Sequence, residues 1–180
     1  MTAGNLYFVA IIPPEPVFTE IHAFKVIARD MFESSRALRS PPHITLLPPF
    51  RATTQSLKQC DKLLEQVSNA HHRFGISLSG FGAFPPKVVF VLPKLSDALR
   101  ALQSDVEFEI SALLGISRPT RPYHPHMTVA FKDLRKSMFG TAWNYFSAID
   151  YERNFEVSTI VLLRHYSTGW RVSRQFALRG

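Results

Sequence analysis

Apolar positions along the chain recur with either a strand or a helix period. Asn5 to Ile12 is a continuous apolar run, as expected of a buried central strand. Pro13, Pro14 and Pro16 end it, and a helix can start near Pro16 because proline is tolerated in a first helical turn. Val17, Ile21, Phe24, Ile27, Ala28 and Met31 then keep a three-to-four spacing, which predicts an amphipathic helix to about Phe32. Ser34 to Pro42 reads as a basic loop. His43 to Leu47 reads as a short strand closed by Pro48 and Pro49, with His43, Thr45 and Leu47 on one face. Thr53 or Thr54 caps a second helix, striped by Leu57, Cys60, Leu63, Leu64 and Val67 and ending near Ala70. Phe74 to Phe84 and Val88 to Leu92 form a predicted hairpin, turned at Pro85-Pro86-Lys87.

Ser96 or Asp97 caps a third helix, with Leu99, Leu102, Val106 and Ile110 along one face and Gly115 as terminator. After a proline-interrupted loop, His126 to Phe131 reads as a strand with His126, Thr128 and Ala130 on one face. A fourth helix is expected from Arg135 to Ala148. Phe155 to Leu163 and Trp170 to Leu178 read as two strands joined at Ser167-Thr168-Gly169. The order is a loose duplication of pattern: each half carries a strand with His-x-Thr, then a helix, then a hairpin. Two such halves, each a sheet backed by helices, could bring both His-x-Thr strands to one central groove.

Composition narrows the class. At 180 residues and 46% hydrophobic, the chain can build a core as a single domain. No stretch approaches the ~20 apolar residues of a membrane-spanning helix. The run Leu6 to Ile12 is short and lacks the flanks of a signal peptide, so it is read as a strand. A single cysteine, Cys60, excludes an internal disulfide and fits a reducing compartment. A cytoplasmic monomer is expected, with no membrane association. The net charge of +7 favours a polyanionic partner such as RNA or nucleotides, although the positive residues are scattered as on any basic surface.

The chemistry lies in Pro41-Pro42-His43-Ile44-Thr45-Leu46 and in Tyr123-His124-Pro125-His126-Met127-Thr128-Val129-Ala130. On a strand, the i, i+2 spacing puts imidazole and hydroxyl on one face with Cα atoms about 6.5–7 Å apart. Imidazole exchanges a proton near neutral pH, and a hydroxyl donates to an anionic oxygen. Two such pairs across a groove would match a phosphodiester. One histidine would act as base on water or a ribose hydroxyl, and the other as acid on the leaving oxygen. The two threonines would hold the non-bridging oxygens. This scheme needs no metal and no cofactor.

These paired motifs resemble the signatures of the 2H phosphoesterase superfamily, with the bacterial 2′-5′ RNA ligase family as the nearest branch. The resemblance implies an α+β, bilobal fold with a pseudo-two-fold, residues 1–180 forming one domain of two interleaved lobes. Two mainly antiparallel sheets would line a central groove, with helices on the outer faces. It implies His43, Thr45, His126 and Thr128 as catalytic residues. It also implies hydrolysis of a 2′,3′-cyclic phosphate on RNA ends or small nucleotides to a 2′-phosphate, with reversible 2′-5′ joining in some members. Alternatives are a phosphodiesterase for 2′-5′-linked oligonucleotides or ADP-ribose cyclic phosphate, and a non-catalytic RNA-binding module. Many members carry an arginine after the second motif. This chain has Ala130-Phe131-Lys132-Asp133, and Lys132 would take that place as a point charge if the strand extends to it.

Arg36, Arg39, Arg118 and Arg121 flank the motif strands and could steer a polyanion, with Arg36, Arg39, Arg121, Tyr123 and Lys132 as substrate-binding candidates. Phe84, Tyr123 and Tyr166 could stack on a base. His124 and His126 form His-x-His, but Pro125 between them and the lack of nearby carboxylates beyond Asp133 argue against zinc. Arg174 interrupts the apolar phase of the last strand, which suggests a groove-facing phosphate contact or, as the favoured reading, a bulge or an exposed end.

Overall fold

The computed structural model describes residues 4–180. Its elements are β1 (Asn5–Ile11), α1 (Val17–Phe32), a short 3-10 helix (Arg36–Arg39), β2 (Ile44–Ala52), α2 (Thr54–Ala70), β3 (Phe74–Phe84), β4 (Val88–Pro93), α3 (Asp97–Leu114), β5 (Met127–Ala130), α4 (Lys136–Ser147), β6 (Glu152–Val157), β7 (Thr159–Tyr166) and β8 (Gly169–Ala177). Local chemistry sets the helix ends. The Thr53 hydroxyl accepts from the Ser56 N–H and the Ser56 hydroxyl accepts from the Thr53 N–H, a reciprocal cap that starts α2. Ser96 caps α3 through the Leu99 N–H, and Gly115 ends it at a φ of 63°.

The strands form two four-stranded antiparallel sheets, ordered β2-β1-β7-β8 and β5-β4-β3-β6. Both sheets follow one plan. The motif strand is at the edge, beside the strand that leads into it through a helix. The helices are exchanged between the sheets: α1, which precedes β2, packs on β5, and α3, which precedes β5, packs on β2. This exchange holds the two motif strands close together. One apolar core joins Val9 and Ile11 of β1, Val89 and Val91 of β4, Ile21 and Ala28 of α1, and Leu99 and Leu102 of α3. Burying one such side chain contributes about 1.5–3 kcal/mol. The opposite face of the first sheet carries Phe8, Ala10, Val161 and Leu163, with Trp170 packed against them.

Several expectations change. β2 does not close at Pro48 but runs through both prolines to Ala52. An edge strand tolerates residues without a donor, and the register with β1 shifts between Thr45 and Leu47. That shift lets Leu46 and Leu47 both be buried, so Leu47 does not share an exposed face with His43 and Thr45. β5 starts at Met127, leaving His126 just ahead of the strand, and ends at Ala130 before Lys132. The predicted strand Phe155 to Leu163 is two strands. β6 completes the second sheet and, after Ser158, β7 enters the first. Each sequence half ends in a hairpin that belongs to the sheet opposite its own motif strand. The bulge suggested by Arg174 is present, with a register shift between Leu162 and Leu163 opposite Arg174 and Val172.

Candidate active site

Both His-x-Thr pairs line one cleft of about 350 Å³, which holds His43, Thr45, His126 and Thr128. The same local device orients each imidazole. His43 Nδ1 lies 2.7 Å from the Pro41 carbonyl oxygen, and His126 Nδ1 lies 2.9 Å from the His124 carbonyl oxygen. A carbonyl only accepts, so Nδ1 carries the hydrogen in both rings and Nε2 is the free atom. Each ring rests on an aromatic pair supplied by neighbouring strands. His43 is 4.9 Å from Phe8 of β1, which is 4.6 Å from Trp170 of β8. His126 is 5.3 Å from Phe90 of β4 and 5.3 Å from Phe84 of β3. Gly82 leaves room for the buried Phe90 ring: a Cβ there would fall 2.5 Å from it. Among the described residues neither threonine hydroxyl donates to a protein group, so both are available to a ligand in the cleft.

The electrostatics differ between the pairs. Burial first, and then the nearby Lys25 charge, lower His43 to about 4, with His126 adding to the effect. Burial also lowers His126, against the pull of the His124 carbonyl. Lys25 of α1 is 1% exposed and donates to the carbonyls of Ala37 (3.1 Å) and Ser40 (2.9 Å). It thereby ties the segment that carries Arg36 and Arg39 to α1. A second tie comes from Asp133, whose carboxylate accepts from the N–H groups of Ser35 (2.8 Å) and Arg36 (2.9 Å) and from the Ser34 hydroxyl (3.0 Å). Burial opposes its charge, but these donors outweigh it and hold the carboxyl below its ordinary range. The Ser34 hydroxyl in turn accepts from the Phe131 N–H, at the exit of β5.

The substrate-binding candidates divide between two cavities. Arg36, Arg39 and Lys132 line the cleft. Lys132 reaches it from a left-handed residue (φ 48°) past the end of β5, and not along a continued strand. Arg118, Arg121 and Tyr123 line a larger cavity of about 740 Å³ that shares Thr45 and His126 with the cleft. The Tyr123 hydroxyl donates to the Thr45 carbonyl (3.0 Å), seating the incoming loop on β2. Phe84 and His124 also face the larger cavity, whereas Tyr166 lines neither. Arg174 is exposed beside Asp61, away from the cleft. On the other side, a cavity of about 330 Å³ shares Arg39, Ser40 and Trp170 with the cleft and adds Arg171 and His22. Among the described residues, no group of three histidine, cysteine, aspartate or glutamate side chains is placed to hold a metal ion. No helix among them is long and apolar enough to cross a membrane.

Sequence reading missed Phe8, Trp170 and His165 at the cleft, Lys25 behind it, and Gln103 and Glu107 in the larger cavity. Only Lys25, Gln103 and Glu107 left a signal, as polar residues on the inward faces of amphipathic helices.

Relatives place the chain. A protein of Geobacillus kaustophilus named "Putative phosphoesterase" is 25% identical over 177 residues, covering 97% of this chain and 96% of the relative. Escherichia coli LigT in apo form superposes with a TM-score of 0.73 at 17% identity, covering 100% of both chains. TT0787 of Thermus thermophilus superposes at 0.72 with 20% identity, covering 97% of this chain and 98% of that one. The LigT likeness bears out the α+β fold of two antiparallel sheets. A family model described as the 2′-5′ RNA ligase superfamily matches residues 13–169, and the chain belongs to that superfamily.

Proposed function

We propose that the protein is a metal-independent phosphoesterase that opens the 2′,3′-cyclic phosphate of RNA ends or nucleotides. The observation that carries this reading is the convergence of both His-x-Thr pairs on one cleft, each imidazole held with Nε2 free. Neutral His43 is suited to be the general base and His126, less strongly depressed by its surroundings, the general acid once an anionic phosphate is bound. His43 Nε2 takes a proton from water as its oxygen attacks phosphorus. The bond from phosphorus to the 3′ oxygen breaks, and His126 gives that oxygen a proton. The product carries a 2′-phosphate. Thr45 and Thr128 donate to the non-bridging oxygens, with Arg36, Arg39 and Lys132 adding positive charge at the cleft. With a ribose 5′-hydroxyl in place of water as the nucleophile, the same two proton transfers would join ends through a 2′-5′ linkage.

The basic extension past Arg39 towards Arg171 favours RNA ends over free mononucleotides, because it gives a chain of phosphates somewhere to lie. The test is a panel of 2′,3′-cyclic nucleotides and cyclic-phosphate-ended RNAs, assayed with chelator present and with product regiochemistry read by chromatography. Turnover to 2′-phosphates that His43→Ala and His126→Ala both abolish is expected. Full activity in either variant would overturn the two-histidine mechanism, and loss of activity with chelator would overturn its metal independence.

A further inference from the structure

The larger cavity beside the cleft has a floor with a one-sided hydrogen-bonding character. Gln103 and Glu107 lie one turn apart on α3, so they share a face. Each is only 8% exposed, and both line the cavity. The Gln103 amide nitrogen is already committed: Nε2 donates to the Leu46 carbonyl at 3.3 Å and to Glu107 Oε2 at 2.7 Å. What remains to face the cavity is acceptors only, Gln103 Oε1 and Glu107 Oε1. The nearest cation to Glu107, Arg118 Nε, stands 3.7 Å from Oε1, beyond hydrogen-bond reach. The walls above this floor offer planar apolar faces, Pro48, Phe84, Pro122 and Tyr123, with Arg118 and Arg121 also in the lining. The carboxylate has one amide donor on Oε2 and none within hydrogen-bond reach of Oε1, so a ligand N–H aimed at Oε1 would stabilise it.

We infer that this cavity is a nucleobase subsite selecting bases that carry an amino group, namely guanine, adenine and cytosine, over uracil. The inference rests on the reading of the cleft as a nucleotide phosphate site. The shared residues Thr45 and His126 put phosphate and base in adjoining compartments, with the ribose spanning them. An amino-bearing base brings N–H donors to the acceptor floor while its faces meet the apolar walls. Guanine brings two adjacent donors and fits best. Uracil offers one N–H between two carbonyl oxygens, which would oppose the lone pairs of Gln103 and Glu107.

The experiment measures binding of the four nucleoside 2′-monophosphates by titration calorimetry, beside hydrolysis of the four 2′,3′-cyclic nucleotides. The three amino-bearing ligands are expected to bind the unaltered protein about tenfold or more tightly than uridine 2′-phosphate. In Glu107→Gln, whose amide offers a donor to a uracil oxygen, that ratio is expected to fall below about threefold. Arg118→Ala should keep the preference. Equal binding of all four bases by the unaltered protein, or an unchanged ratio in Glu107→Gln, overturns the subsite. Absence of cyclic-phosphate turnover with the base preference intact would instead overturn the hydrolase reading and leave the subsite standing.

Discussion

His43 enters a nine-residue strand, is bedded on Phe8, which Trp170 backs, and has the buried Lys25 behind it. His126 enters a four-residue strand, is bedded on Phe84 and Phe90, and opens onto the large second cavity. Both imidazoles make the same contact to the carbonyl two residues back, so their orientation is equivalent. Their surroundings are not. Deeper burial and a nearby ammonium charge make protonation of His43 the harder of the two. A duplicated motif thus yields two groups of different proton affinity without a change of residue type, which is what an acid and base pair requires.

The largest effects should separate the two roles. His43→Ala and His126→Ala are each expected to lower kcat/KM on cyclic phosphates by about 10²–10⁴-fold. On a diester whose p-nitrophenol leaving group needs no proton, His126→Ala should recover most activity and His43→Ala none. Equal rescue of both would erase the assigned difference. Thr45→Val and Thr128→Val should each cost about 10²-fold in kcat, as expected for removal of one donor to a developing charge.

The pH dependence sharpens the same contrast. In the free protein both histidines sit below their ordinary value, so the kcat/KM profile should be bell-shaped with both limbs below 6.5. The acid limb should fall near 4, where His43 gains its proton. Stability follows the same sign. A histidine lowered on folding binds its proton more readily in the unfolded chain, so stability is lost as pH falls from 6.5 through about 4. The loss should reach roughly 3 kcal/mol at most for His43, by denaturant unfolding across that window. Smallest, Gly82→Ala should destabilise by about 1–3 kcal/mol in thermal unfolding by forcing a Cβ against the Phe90 ring. Its kinetic defect should be larger on cyclic phosphates than on the p-nitrophenyl diester, because Phe90 packs on His126 whereas His43 rests on Phe8.

Helices α2 and α3 are legible in the sequence because their ends carry local chemistry. Thr53 with Ser56, Ser96 with Leu99 and the left-handed Gly115 are all interactions within a few residues. The hairpin β3–β4 is legible for the same reason, through its proline turn. The strand Phe155 to Leu163 misleads because its apolar pattern continues through Ser158, where the chain changes sheets. Pro48 and Pro49 mislead because whether a strand tolerates proline depends on its place in the sheet, and β2 is an edge. Lys132 reads as a strand continuation, yet it reaches the cleft only after the backbone turns through the left-handed region.

Taken alone, the residues determined the pairing of imidazole with hydroxyl on each motif strand, since alternation along a strand is a local property. They also determined the duplicated order of elements and the basic loops leading into both motifs. Tertiary structure decided what lies around each pair: the exchange of α1 and α3 between sheets, the aromatic beds, the burial of Lys25 and the acceptor floor of Gln103 and Glu107. Those features join residues far apart in the chain, and burial and the electric field at a group depend on every element packed around it. Two copies of one motif therefore read alike in sequence and differ only once folded.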